Sequence, residues 1–254
     1  MKNIVLFILF FLFCNHCYST PQAGDRLIYN NDTIRIYPFI LEQYVNASPD
    51  KELIYSQIKE SFVFSTGCWR GFIAVFEIRN DSLFLQRAYG EKEVDLSAIF
   101  GKSNNIFVDW YSGTLTSPKN LLIYEHDGWG GFYEYETDFS FKNGILKGVK
   151  EFHNTVISSI YADSSSDTLM NFIKSNIDYT KIKIPKQKIR VIVRIDDVDE
   201  NGRIDKVTVV RGHDGYNEEV IRVIKLIPQW QMIIRRGKKV YRPWTVPVFF
   251  TPSH

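Results

Sequence analysis

The chain is short of cysteine, of spacer sequence and of long apolar runs, and each shortage removes a class of answer. Only 3 of its 254 residues are Cys. Two of these, Cys14 and Cys17, lie near the start. If that stretch is removed, Cys68 stands alone and no intramolecular disulfide can form, even in an oxidising compartment. The fold must then stand on its hydrophobic core. No Pro-rich or Gly-rich spacer occurs, so nothing here reads as an extended tether. There is no low-complexity block either, and with 44% hydrophobic and 24% charged residues the composition is globular rather than disordered. The apolar run IVLFILFFLF, residues 4–13, is well short of the ~20 residues that span a bilayer as a helix.

That run follows Lys2 and precedes CNHCYST, the layout of an export signal. Cys17 and Ser19 are the small residues at the −3 and −1 positions, so residues 1–19 are expected to be a signal peptide and the mature protein periplasmic. Lipidation at Cys14 or Cys17 is the rival, with attachment to the outer membrane; bulky Phe13 or His16 would precede the modified Cys. For an exported protein, nucleic acid is not an expected partner. Contact with a membrane is expected only through such a lipid anchor.

What the chain does hold is aromatic residues, at 15%, including 19 Phe and 14 Tyr, which favours strands. Residues 168–254 carry 17 Lys/Arg against 9 Asp/Glu, while the rest carries 14 against 20. A basic C-terminal part beside an acidic N-terminal part predicts two domains. The Ser/Asp cluster YADSSSDT places a short linker at 161–167, between a domain at 20–160 and another at 168–254.

The first domain reads as β-rich. Asn30-Asn31-Asp32, Arg79-Asn80-Asp81 and Lys142-Asn143-Gly144 each separate two strand-like runs, which predicts three hairpins. NLLIYEH and FYEYETDF supply further strands, and SPDKELIYSQIKE (48–60) a helix with Ser48 or Asp50 as cap. The expected class is α+β, opening with a sandwich or half-barrel of about six to eight strands.

The second domain has another rhythm. Leu169, Phe172, Ile173 and Ile177 recur at helical spacing, predicting a helix over 168–178. KIRVIVRI and RIDKVTVV flank DENG and predict a hairpin. Val220, Val223, Ile224 and Ile227 mark a second helix, stopped by Pro228. VYRPWTVPVFF, 240–250, alternates as a last strand. This run resembles a TonB C-terminal domain over about 85 residues, a third of the chain. The resemblance rests on the ENG-x-I turn at 201–204, VRG closing the second strand, EEVIRVI in the second helix, Pro228-x-Trp230, and the closing PV-x-F. It implies a small helix, β-hairpin, helix, strand unit that binds by β-augmentation, a segment of an outer-membrane transporter adding as a strand to its open edge. The edge implied is the last strand: Val240, Tyr241, Arg242, Trp244, Thr245, Val246 and Val248. Without a membrane anchor and a long Pro-rich spacer, a full energy transducer is not expected. DRLIYNNDTIRIY, CWRGFIAVFEI and SGTL of the first domain resemble an uncharacterised module of exported bacterial proteins, to which no activity is attached.

Four patterns invite chemistry. DVDENGRIDKVT, 197–208, places Asp197, Asp199, Asn201, Gly202 and Asp205 as an EF-hand loop would. Position twelve is Thr208 instead of a bidentate carboxylate, and both flanks are strands, so the expected reading is a hairpin turn and no metal site. Pro243 and Pro247 both remove N–H donors from one side of the last strand, which blunts its outer edge. Arg235, Arg236, Lys238, Lys239 and Arg242 form a basic run, read as a solvated turn with charges guarding an edge strand. In EHDGWGGFYEYE, 125–136, His126, Asp127 and Trp129 form a possible ligand loop. With Trp69, Trp110 and Tyr111 they could bind sugar, and Asp109 with Glu125 could make a carboxylate pair. Cys68 reads as a small buried hydrophobe rather than a nucleophile. No motif implies a cofactor. The sequence thus leads to a non-enzymatic envelope protein acting by protein contact, with a glycan-binding protein or hydrolase as the alternative.

Overall fold

The computed structural model describes residues 21–125, 130–162 and 167–252; at 124, 125 and 130 it describes the backbone alone. The export signal expected at 1–19 and the ligand loop His126, Asp127 and Trp129 lie outside the described residues. The protein is mixed α/β and strand-rich, with one large sheet. It divides into two compact units, 1–152 and 153–254. The division precedes the Ser/Asp cluster because residues 155–157 form a strand of the second unit.

In the first unit the Asn-rich turns fold as local chemistry demands. Asn30 and Asn31, Asn80 and Asp81, and Asn143 and Gly144 all hold positive φ, between 48° and 73°. Two such residues in succession make the tight hairpin turn whose twist suits antiparallel strands. They join β1 (Asp25–Tyr29) to β2 (Asp32–Ile36), β3 (Ile73–Arg79) to β4 (Ser82–Tyr89), and β7 (Gly130–Lys142) to β8 (Ile145–His153). With β6 (Gly113–Glu125), the strands run in the order β2-β1-β3-β4-β8-β7-β6, and β5 (Ile106–Phe107) pairs with β4. Of the two arrangements expected, a sandwich needs two sheets, and the described residues of this unit form one. Its two end strands meet. Tyr37 and Thr116 form a bridge in which each N–H donates to the other's carbonyl, at 3.0 and 2.7 Å.

The inner face of this curled sheet carries Leu27, Phe76, Leu83, Leu85, Leu115 and Phe139, all buried. Two short helices complete the core: α1 (Ile40–Ala47) inserts Ile40, Leu41 and Val45, and α2 (Lys51–Ile58) inserts Ile54 and Ile58. Only α2 is foreshadowed by the expected 48–60 helix. Neither helix has a side-chain cap hydrogen bond, so packing rather than capping holds them. A third, α3 (Ser97–Phe100), is a single turn closed by Gly101 at φ 68°.

In the second unit, α4 (Asp167–Asn176) buries Leu169 and Ile173. The hairpin β10 (Ile189–Val198) and β11 (Ile204–Arg211) follows, then α5 (Asn217–Lys225), which buries Val220, Val223 and Ile224. The last strand, β14 (Trp244–Phe250), is antiparallel to β10, giving the order β11-β10-β14. It is shorter than expected. Val240 ends β13 (Lys238–Val240), and residues 241–243 lie in neither strand. Pro243 lacks the N–H a ladder needs and restricts Arg242 before it, so the alternating run 240–250 is split.

A second small sheet, β13-β12-β9, joins β9 (Thr155–Ile157) and β12 (Met232–Arg235) to β13. It has no counterpart among the strands expected from the sequence. Its strands are three or four residues long, too short for alternation to be read. The turn between β12 and β13 is Arg236-Gly237, at φ 54° and 72°, so the basic run does lie on a hairpin.

Candidate functional site

The acidic turn behaves as a turn. The Asp199 carboxylate accepts the N–H groups of Asn201 at 2.9 Å and Arg203 at 2.8 Å. Gly202 holds φ 78°, and its carbonyl accepts the Trp230 N–H at 2.7 Å. Asp197 accepts Lys239 Nζ at 2.6 Å, a hydrogen bond that holds its carboxyl below the ordinary range. Three stretches distant in sequence therefore lock together: the DENG turn, Pro228-x-Trp230 and the basic hairpin. Trp230 is fully buried and meets Trp244 edge-on, with centroids 5.8 Å apart.

This lock positions β14. Val246, Val248 and Phe250 are buried, Trp244 and Pro247 are half-buried, and Thr245 and Phe249 are exposed. The Ile195 carbonyl accepts the Tyr241 hydroxyl at 3.1 Å, which shows that it turns toward the β14 side. Because backbone groups alternate along a strand, Val193 and Val191 turn the same way, and their partners Val246 and Val248 turn inward to meet them. The outward groups of β14 are those of Thr245, Pro247 and Phe249. Of the two prolines expected to blunt this edge, only Pro247 lies in the strand; Pro243 lies just before it. The edge therefore has N–H donors at Thr245 and Phe249 and none between them.

The face of the sheet turned away from the helices is basic. Lys188 Nζ and the Arg190 guanidinium lie 4.9 and 5.6 Å from the centre of the Phe249 ring. Arg194 binds Asp196 at 2.6 Å, and Thr208 also donates to that carboxylate, holding its carboxyl low. On the other side, an open cleft of about 640 Å³ lies at the start of α5, lined by Lys181, Asp214, Glu218, Glu219 and Arg222. Its buried acid is already occupied. Glu219 accepts two bonds from Arg222, at 2.6 and 2.8 Å, and one from the Asp178 N–H at 2.6 Å.

The first unit holds a pair the sequence did not foreshadow. Arg70 and Asp25, 2% and 1% exposed, meet at 2.7 Å. Asp25 also accepts the Ala74 N–H at 2.9 Å, and Arg70 donates to the carbonyls of Phe72 at 2.6 Å and Ala23 at 3.0 Å. The guanidinium lies 3.5 Å from the centre of the Phe39 ring. Burial outweighs the nearby cation and pushes the Asp25 carboxyl up to about 6. Forty-five residues separate the two, and no local pattern signals such a pairing. A buried polar knot of this kind is compatible with a structural role alone.

Of the aromatics considered for sugar, Trp129 lies outside the described residues, and Trp110 and Tyr111 pack into the core. Trp110 stacks on Phe100, 5.3 Å apart at 12°, and Tyr111 is buried, which pushes its hydroxyl up to about 12. Trp69 is 66% exposed. A cleft of about 500 Å³ lies elsewhere on this unit, lined among others by Arg35, Lys119, Tyr135, Glu136, Glu151 and Phe152. Cys68 is buried, its thiol donates to the Phe72 carbonyl at 3.4 Å, and burial pushes its pKa up, the reverse of what activates a nucleophile. Among the described residues no three His, Cys, Asp or Glu side chains gather as a metal site, and no helix is long and apolar enough to cross a membrane. No family model, no curated protein and no solved structure matches this chain.

Proposed function

We propose that this is an exported cell-envelope protein whose second unit is a TonB-C-like interaction domain, taking extended segments of outer-membrane transporters by strand addition along β14. The observation that carries the reading is the unpaired outer edge of β14, which among the described strands has a partner on one side only. Support also comes from the element order α4, β10, β11, α5, β14 and from the contact between two of the stretches that carry the resemblance, Gly202 and Trp230. An incoming strand meets donors at Thr245 and Phe249 with Pro247 between them. Binding is therefore expected to be weak, with the flanking Lys188 and Arg190 favouring acidic segments. Titration of the full chain with a panel of transporter-derived peptides, followed by calorimetry, tests this. Micromolar or weaker binding that shifts the backbone amides of β14 in NMR is expected. Submicromolar affinity would contradict the blunted edge, and shifts confined to other strands would contradict the site.

The runner-up is a glycan-binding protein or hydrolase working through the first unit. The cleft with Tyr135, Glu136 and Glu151 is what favours it. Retention on a glycan array would bring it forward, and an array without hits would remove it.

A further inference from the structure

A small hairpin on the first unit turns two aromatic rings into solvent. Ser65 and Cys68 face one another in an isolated antiparallel bridge, with Thr66-Gly67 as its turn. Phe64 directly precedes this bridge and Trp69 directly follows it, so the two rings flank the same tight turn. Cys68 and Arg70 are buried, whereas Trp69 between them and Phe64 on the other side of the turn are exposed. Their exposures are 66% and 89%. Two successive turns hold the segment: the Cys68 N–H donates to the Ser65 carbonyl at 3.0 Å and the Gly71 N–H to the Cys68 carbonyl at 2.9 Å. Arg70, two residues after Cys68, is clamped by Asp25 in the core.

The chain enters the fold at this same point. The Ala23 N–H donates to the Gly67 carbonyl at 2.6 Å, Gln22 Nε2 donates to Thr66 at 2.8 Å, and Gln22 Oε1 accepts the Trp69 N–H at 3.2 Å. Gln22 therefore sits beside Trp69. The apolar run ends at Phe13, and a chain of nine residues reaches at most about 30 Å. Cys17, one of the two acylation candidates, is nearer still.

We propose that the Phe64–Trp69 hairpin is a bilayer-contact surface. It seats both rings in the interfacial layer when the apolar N-terminal run, or an acyl chain on Cys14 or Cys17, lies in the membrane. Trp concentrates at that depth because its ring is apolar while its N–H stays wet. One anchoring signal holds a protein only marginally, and a second apolar contact beside it raises retention. A lipid surface fits better than a saccharide because the apolar run ends only nine residues before Gln22 in sequence, and because Phe64 offers a sugar no hydrogen bond. The inference shares with the proposed function only the export of the chain, and it needs no peptide on β14.

The test is tryptophan quenching of the full chain reconstituted with phosphatidylcholine/phosphatidylglycerol vesicles, using lipids brominated near the headgroup. The parent is expected to show a quenchable fraction that Trp69→Phe removes. The double variant Phe64→Trp/Trp69→Phe should restore it, since it moves the indole across the hairpin. Both positions are exposed, so circular dichroism should show unchanged folding. Equal quenching in the parent and Trp69→Phe overturns the proposal. So does a blue shift of Trp69 emission with soluble peptidoglycan fragments and none with vesicles, which would make the surface a glycan contact. Peptide binding by β14 is read separately, so failure of one proposal leaves the other standing.

Discussion

The two units use similar hairpins and finish them differently. In the first, the sheet curls until β2 and β6 meet at Tyr37 and Thr116, so both of its ends are engaged. In the second, β11 and β14 each have a strand neighbour on one side only. An unpaired edge invites another strand, and proteins manage it by closing the sheet or by blunting the edge. Closure protects the first unit, and Pro247 with nearby charge tempers the second. A unit with both ends engaged is left to interact through loops, clefts and faces, whereas an open one can interact through its backbone.

Two buried carboxylates, one from each unit, sharpen this contrast. Asp25 is enclosed with Arg70, whereas Glu219 is paired with Arg222, whose side chain is 37% exposed. The largest effect is therefore expected from Asp25→Ala, which leaves a buried guanidinium without its counter-charge. A loss of about 3–5 kcal/mol in urea-unfolding stability is expected; a loss below 1 kcal/mol, of order, would mean the pair is not enclosed. Gly202→Ala comes next. Its φ of 78° disfavours a side chain, and a Cβ there would stand 2.7 Å from the Trp230 carbonyl oxygen. About 1–3 kcal/mol is expected to be lost, with disturbed tryptophan near-ultraviolet dichroism as the marker of the broken lock.

The pH dependence of the two carboxylates should run in opposite directions. Burial raises the folded pKa of Asp25 from 3.8 to about 6, so the folded state binds the proton more tightly. Its contribution makes the protein more stable as pH falls from about 6 toward 4, and less stable as pH rises through that window. The hydrogen bonds from Arg222 lower the folded pKa of Glu219 below 4.5. Its contribution is present above that value and is lost as pH falls through the folded pKa. Urea titrations from pH 3 to pH 7 of Asp25→Asn and Glu219→Gln against the parent check this. Each substitution should remove one slope, and slopes of the same sign would break the comparison.

The smallest effect is expected from Pro247→Val. The new N–H faces outward, so stability should hardly change, while an added strand gains one ladder hydrogen bond. Peptide affinity should rise about two- to tenfold. Unchanged affinity would indicate that binding, if present, does not use this edge.

The parts of the fold legible in the sequence were those whose cause is local. Asn-Asn, Asn-Asp and Asn-Gly turns need residues that tolerate positive φ, and the strands beside them alternate. The helices α4 and α5 show their buried stripes directly as Leu169 with Ile173, and Val220 with Val223 and Ile224. The DENG turn was legible once its flanking strands were weighed against its carboxylates. Helix α1 was missed because apolar Phe39 stands at its N-cap position where a capping residue would signal a start, and β9, β12 and β13 were missed because three or four residues carry no period. The last strand was read too long, since alternation continues through Tyr241–Pro243 although hydrogen bonding does not.

Sequence alone therefore determined the hairpins, the main helices and the identity of the acidic loop as a turn, because short-range sterics and periodic burial decide them. Tertiary structure decided which edges pair. It also decided that Asp25 finds Arg70, that Trp230 closes over Gly202, and that Trp69 faces water while Cys68 and Arg70 face the core. These depend on segments tens of residues apart arriving at one place, and burial, pairing and exposure exist only once they have arrived.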